Sequence, residues 1–237
     1  MKKTTVLCIG ISLLVLSAGS ALADKPVMGV AEFTNEVAGA RWWNSDVGWE
    51  LSGMLTNELA STGAFSMVER SKLEHVLSEQ DLAASGRVSK GTGAKIGQLT
   101  GAQYLVMGKV TAFEEGVKGT GGGIGYKGIR LGGKKGQAYI AIDLRVVNTT
   151  KGTVDYVRSV EARAKSKGLS VGGYRGGFSG SLAKHEKTPT GKAIRAVVVE
   201  IAGYLECAMV QQDSCMSEYD AKEAKRKESL KKGISLD

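Results

Sequence analysis

The chain has 237 residues, 42% hydrophobic and 24% charged, with 32 Lys and Arg against 24 Asp and Glu for a formal charge of +8. That length suffices for one sizeable domain, with or without an appendage. The basic excess would suit a nucleic-acid partner in the cytosol, but the first residues point to export and exclude that partner.

Met1-Lys2-Lys3 is a positive n-region, Val6 to Leu16 an apolar h-region, and Ala21-Leu22-Ala23 an A-x-A cleavage site. Residues 1–23 therefore read as a cleavable signal peptide with Asp24 as the mature N-terminus. The apolar run is too short and wrongly flanked to span a membrane. A lipoprotein needs Cys as its first mature residue, whereas Cys8 lies inside the discarded h-region, so no lipid anchor is expected. Loss of Lys2 and Lys3 takes the charge from +8 to +6.

Pro26 to Thr34 is a β-rich opening strand, and Trp42-Trp43-Asn44 lies in the loop after it. Ser45 or Asp46 can cap a helix from Val47 to Ser61, where Val47, Leu51, Met54, Leu55 and Leu59 recur at helical spacing. A short strand, Phe65 to Val68, leads to a second helix over Ser71 to Ala83 with Leu73, Val76, Leu77 and Leu82 on its buried side. Glu69 and Glu74 read as helix-start and surface carboxylates. A third, short helix is expected around Gly91 to Thr100, then a strand from Gln103 to Phe113. The alternation of strands and helices predicts an α/β domain over residues 24–210.

Two Gly-rich, basic segments interrupt that pattern, 116–136 and 165–187. Each reads as two short strands and a turn projecting from the domain, poor in the large apolar residues a core needs. They either loop into solvent or build something outside the domain. Between them, strands Ala138 to Val147 and Thr153 to Ala164 meet through the turn Asn148 to Gly152. The parity of Ala138, Ile140, Ile142, Leu144 and Val146 buries one face. A long helix over Pro189 to Met209 has Pro in its first turn. Residues 211–237 form a charged tail with a helical stretch, Tyr219 to Lys232, that lacks an apolar stripe.

Cys207 and Cys215 are the mature cysteines, eight positions apart across Gln211-Gln212-Asp213-Ser214, and predict one disulfide pinning the tail to a helix end. His75 and His185 show no metal-ligand spacing relative to them. Gly123 to Gly128 fits G-x-G-x-x-G, but Ile129-Arg130-Leu131-Gly132-Gly133 cannot open the helix that a dinucleotide site requires. In Gly128 to Lys135, Lys135 replaces the Ser or Thr of a phosphate loop, and no nucleophile elbow or triad order is present. No enzyme activity, cofactor or metal is expected.

Glu69 to Glu79, with the pattern E-R-x-x-L-x-x-L-x-E, Val117-Lys118 before a glycine run, and Leu144-Arg145-Val146-Val147-Asn148 ending in a Thr-Lys-Gly turn resemble the curli-secretion channel family (CsgG-type). The likeness covers most of Val27 to Tyr204. It implies a periplasmic α/β domain that assembles into a homo-oligomeric ring, with two β-hairpins per subunit joining one outer-membrane barrel. The family's nine-subunit ring implies a nonamer, with secreted fibre subunits or accessory envelope proteins as partners. It also implies a constriction loop, which an ungapped reading from Met54 places at Trp42, Trp43 and Asn44. Trp42 stands where the family has Asn. Without the family, adjacent tryptophans in a loop favour an interface or ligand contact over a core role.

Pairing Gly125 with Ile129 puts Val117, Ile129 and Leu131 on one uncharged face of the first hairpin. In the second, pairing Gly173 with Phe178 puts Leu169, Val171, Phe178 and Leu182 on one face. Its uncharged reach is about six residues, roughly 20 Å, against about 9 to 11 residues for a tilted membrane strand. Two functions follow: a secretion channel whose hairpins insert, or a soluble periplasmic binding or regulatory protein that uses them as partner-binding arms on envelope or cell-wall machinery.

Overall fold

A computed structural model describes residues 24–119, 124–126, 129–131, 134–165 and 180–233. The signal segment and most of the second hairpin, including Leu169, Val171 and Phe178, lie outside the described residues, as do the side chains of Val117, Ile129 and Leu131.

Strands β1 (Val27–Val30), β3 (Ser66–Met67), β4 (Tyr104–Gly119), β7 (Lys134–Asn148) and β8 (Val154–Lys165) form a mixed sheet in the order β3-β1-β4-β7-β8. The first three are mutually parallel, while β4, β7 and β8 run antiparallel in sequence. A two-residue strand β2 (Thr34–Asn35) adds to β4. The α/β expectation is met. Helices α1 (Val47–Thr62) and α3 (Pro189–Glu206) pack together on one face of the sheet. Their Leu51, Leu55, Leu59, Ile194, Val197 and Ile201 close on Val106, Ile140, Ile142 and Leu144, all fully buried. Phe33 lies over Gly108, where any side chain would collide with its ring.

Helix α3 starts because Thr188, in extended conformation, accepts the Gly191 N–H at 3.2 Å and Pro189 supplies a helical φ without an unsatisfied donor. The α-helix gives way after Glu206 to a π-helical turn, Cys207–Gln211, which carries helical structure past the expected end at Met209. A disulfide joins Cys207 to Cys215, the first residue of α4 (Cys215–Gly233), with 6.0 Å between their Cα atoms. Arg158 on the edge strand β8 then fastens α4. It donates to the Tyr219 carbonyl and stacks 4.8 Å from the Tyr204 ring and 5.4 Å from the Tyr219 ring. The charged helix thus lies along the sheet edge, leaving a cleft of about 700 Å³ lined by Tyr139, Arg158, Tyr204, Tyr219 and Arg226.

Several expectations are corrected. Residues 91–100 form turns, because Gly91 and Gly97 sit at φ +85 and +77, outside helical space. Helix α2 (Leu73–Ala84) exists but does not bury Val76, Leu77 and Leu82, which are 37%, 43% and 41% exposed. Among the described residues this helix packs extensively on no strand, and although Gln80 is buried, its amphipathic period leaves Val76 and Leu77 open to a partner. Residues 180–185 are a 3-10 helix rather than a hairpin strand, and Leu182 is fully buried in the core. It therefore cannot belong to an exposed hairpin face. At the first hairpin's tip, β5 (Ile124–Tyr126) pairs with β6 (Ile129–Leu131) through Tyr126↔Ile129, one residue away from the expected Gly125 pairing.

Candidate functional site

The root of the first hairpin, the tryptophan loop, the 3-10 turn Gly180–His185 and the start of α3 converge on one junction. From the core side, the antiparallel β4–β7 ladder bulges between Val110 and Ala112, then continues to Gly119↔Lys134. A bulge bends a strand and increases its twist, so the ladder changes course just as it leaves the helices. Phe113 and Glu115 lie immediately beyond.

The Trp42 ring meets Phe113 with centroids 5.3 Å apart and Trp43 edge-on at 5.4 Å. Trp42 is only 4% exposed and belongs to the core, which corrects its expected role at an interface or constriction. Its Nε1 has no hydrogen-bond partner among the described residues. Adjacent loop residues point in different directions, and burying one ring against Phe113 leaves Trp43 half-buried and Asn44 exposed. Asn44 Oδ1 accepts the Asp46 N–H at 2.9 Å, an Asx turn that leads into α1. Trp49, in the first turn of α1, is 40% exposed.

The 3-10 turn Gly180–His185 is fixed by α1. Glu50 accepts the Ser181 N–H at 2.6 Å, the Ser181 hydroxyl at 3.0 Å and the Leu182 N–H at 2.8 Å. A carboxylate holding free backbone N–H groups makes charge-assisted bonds, roughly twice as strong as neutral ones. Across the junction, the buried Thr190 hydroxyl donates to Glu115 at 3.0 Å, tying α3 to the root of the first hairpin. Gly191 completes the packing, since a Cβ there would strike the His185 carbonyl.

Of the sequence-predicted loop, Trp43 and Asn44 stay at the surface and Trp42 does not. Glu50, Phe113, Glu115 and Thr190 were not singled out by sequence, because a carboxylate or hydroxyl joining segments more than 70 positions apart has no local pattern. At the other end of the domain, Glu69 accepts N–H groups of Ser71 and Lys72 at 2.7 and 3.0 Å, starting the turn into α2. Burial opposes its ionisation, yet these bonds and the Ser71 hydroxyl hold its carboxyl below the usual range. Among the described residues no group of His, Cys, Asp and Glu is placed to hold a metal ion, and no helix is long and apolar enough to cross a membrane.

No curated protein matches the chain significantly. Solved structures give distant likenesses. The hypothetical protein CT253 from Chlamydia trachomatis is 16% identical with a TM-score of 0.41, over 78% of this chain and 99% of that one. A PelC dodecamer from Paraburkholderia phytofirmans is 13% identical at 0.36, over 78% and 92%. Lipoprotein GNA1162 from Neisseria meningitidis is 19% identical at 0.35, over 62% and 88%. At these TM-scores none carries the assignment, which rests on the family profile described as "Curli production assembly/transport component CsgG", matched over residues 12–234. The chain belongs to the CsgG family.

Proposed function

We propose that the protein is a non-enzymatic envelope component that assembles into a homo-oligomeric ring and passes extracellular fibre subunits through an outer-membrane barrel built from its hairpins. The observation that carries this reading is the length of the β4–β7 ladder. Strand β4 has 16 residues and β7 has 15, against four in β1, their core neighbour. At ~3.4 Å per residue, β4 spans roughly 50 Å, far beyond the strands of about 5 to 6 residues usual in globular domains. Strand β8 accompanies β7 as far as Gln137↔Lys165, and beyond it β4 and β7 run on as a two-stranded ribbon through Val117↔Gly136 to Gly119↔Lys134. Such a ribbon is marginally stable in water and calls for further strands. In a bilayer those strands must close into a barrel, because each unpaired backbone group costs several kcal/mol in hydrocarbon.

Within such a ring Trp43 and Asn44 are assigned to the constriction, with Trp42 anchoring their loop from behind. The reading includes export by the 1–23 signal, a mature N-terminus at Asp24 without acyl chain, and a periplasmic position for the domain. Nucleic acid plays no part. Single-channel recording of the reconstituted protein tests it: Trp43→Ala raises conductance, and a protein that forms no conducting pore in anionic or neutral bilayers rejects the channel. A soluble binding or regulatory protein on envelope machinery is then the reading left.

A further inference from the structure

Two exposed faces of this chain complement each other. The first is on α2. At about 3.6 residues per turn, Leu73, Val76, Leu77 and Gln80 share one stripe, rimmed by Glu74 and Asp81 on one side and Glu79 on the other. Gln80 is buried and Leu73 half-buried within their own chain, and Val76 and Leu77 form the exposed part. The helix carries those three carboxylates and no Lys or Arg. The second is on the sheet face away from α1 and α3. There the pairing aligns Leu105, Val147 and Val154 in one row and Met107, Arg145 and Val157 in the next. Met107, Val154 and Val157 are 43%, 49% and 63% exposed. Arg145, exposed at the centre of the second row, has no ion-pair partner among the described residues. Helix α4 borders other positions, including Tyr139, Glu161 and Arg163, and does not cover these rows.

We infer that the acidic, apolar α2 of one copy docks on the open sheet face of the next copy, with Arg145 received by the α2 carboxylates. The occupant is a second copy because the chain itself supplies both halves: an apolar stripe with an acidic rim, and an apolar surface with one unpaired cation. Different patches meeting head to tail make a heterologous contact, which generates a ring when the rotation closes. The inference rests on the ring of the proposed function and names the faces that build it. Long-range charge sets the register of such a contact, while the apolar residues supply most of its affinity.

The test is cysteine cross-linking of the mature protein with its natural disulfide intact. Leu77→Cys and Val157→Cys in one chain should give, on mild oxidation, a covalent ladder of trimers and larger species, and either substitution alone should give none. Arg145→Glu should weaken self-association by about tenfold or more, and reversing Glu74, Glu79 and Asp81 to Lys in that same chain should recover it. Oligomers without a ladder in the double-cysteine protein, a dimer from Leu77→Cys alone, a protein monomeric throughout, or no recovery on double charge reversal would each overturn the docking. A ladder in protein that never enters a membrane would leave the docking standing and remove the channel. Detergent-extracted rings that do not cross-link would do the reverse.

Discussion

Glu50 on α1 holds Ser181 in the 3-10 turn before α3 by two hydrogen bonds, 2.6 Å from its N–H and 3.0 Å from its hydroxyl. The contact spans 131 positions and ties the 3-10 turn that precedes α3 to the helix core. Glu50→Ala should therefore destabilise the domain by about 2 to 3 kcal/mol and speed tryptic cleavage at Lys184 and Lys187. Urea unfolding and a timed digest measure the two effects.

The neighbouring tryptophans should respond differently. Trp42→Ala empties a core site against Phe113 and should cost about 3 to 5 kcal/mol. Trp43→Ala should cost under half as much while changing the exposed surface of the loop. Equal losses in thermal or urea unfolding would contradict the assignment of one ring to the core and the other to the surface.

The Cys207–Cys215 bridge closes a short loop, so its chain-entropy contribution is modest. Replacing both cysteines with Ser should lower stability by about 2 to 3 kcal/mol. Hydrogen exchange should rise in α4 while the β4–β7 core keeps its protection. Arg158→Ala should loosen the same helix, since it removes the half-buried cation stacked on Tyr204 and Tyr219.

Tyr139 gives a handle at alkaline pH. Burial, then the negative charge of Glu161, push its hydroxyl from 10.0 to about 12. The folded state favours neutral Tyr139, so its contribution is whole below pH 10 and is lost as pH rises toward about 12. Tyr139→Phe should flatten that part of the alkaline stability profile. An unchanged profile, or Tyr139 ionising at its ordinary pH by ultraviolet absorbance, would contradict this.

The core elements were legible because their signals are local. Leu51, Leu55 and Leu59 keep helical spacing, and Ile140, Ile142 and Leu144 alternate, so each element and its buried face could be read directly. Contacts that cross the domain left no such trace. Nothing near Trp42 says that Phe113 will cover it. Leu182 continued the parity of an assumed strand only while the 3-10 turn held by Glu50 was unknown. In α2 the period marks the helix but not its burial, because a stripe specifies a partner without saying whether its own chain provides it.

The most direct measurement is sequential extraction of the cell envelope, first with high salt and then with detergent. Salt screens the attraction of basic segments to anionic lipid, whereas strands paired in a closed barrel leave the bilayer only with detergent. The account predicts that the protein stays in the membrane through the salt step and emerges in detergent as a large ring. Complete release by salt as a monomer or small oligomer would contradict it.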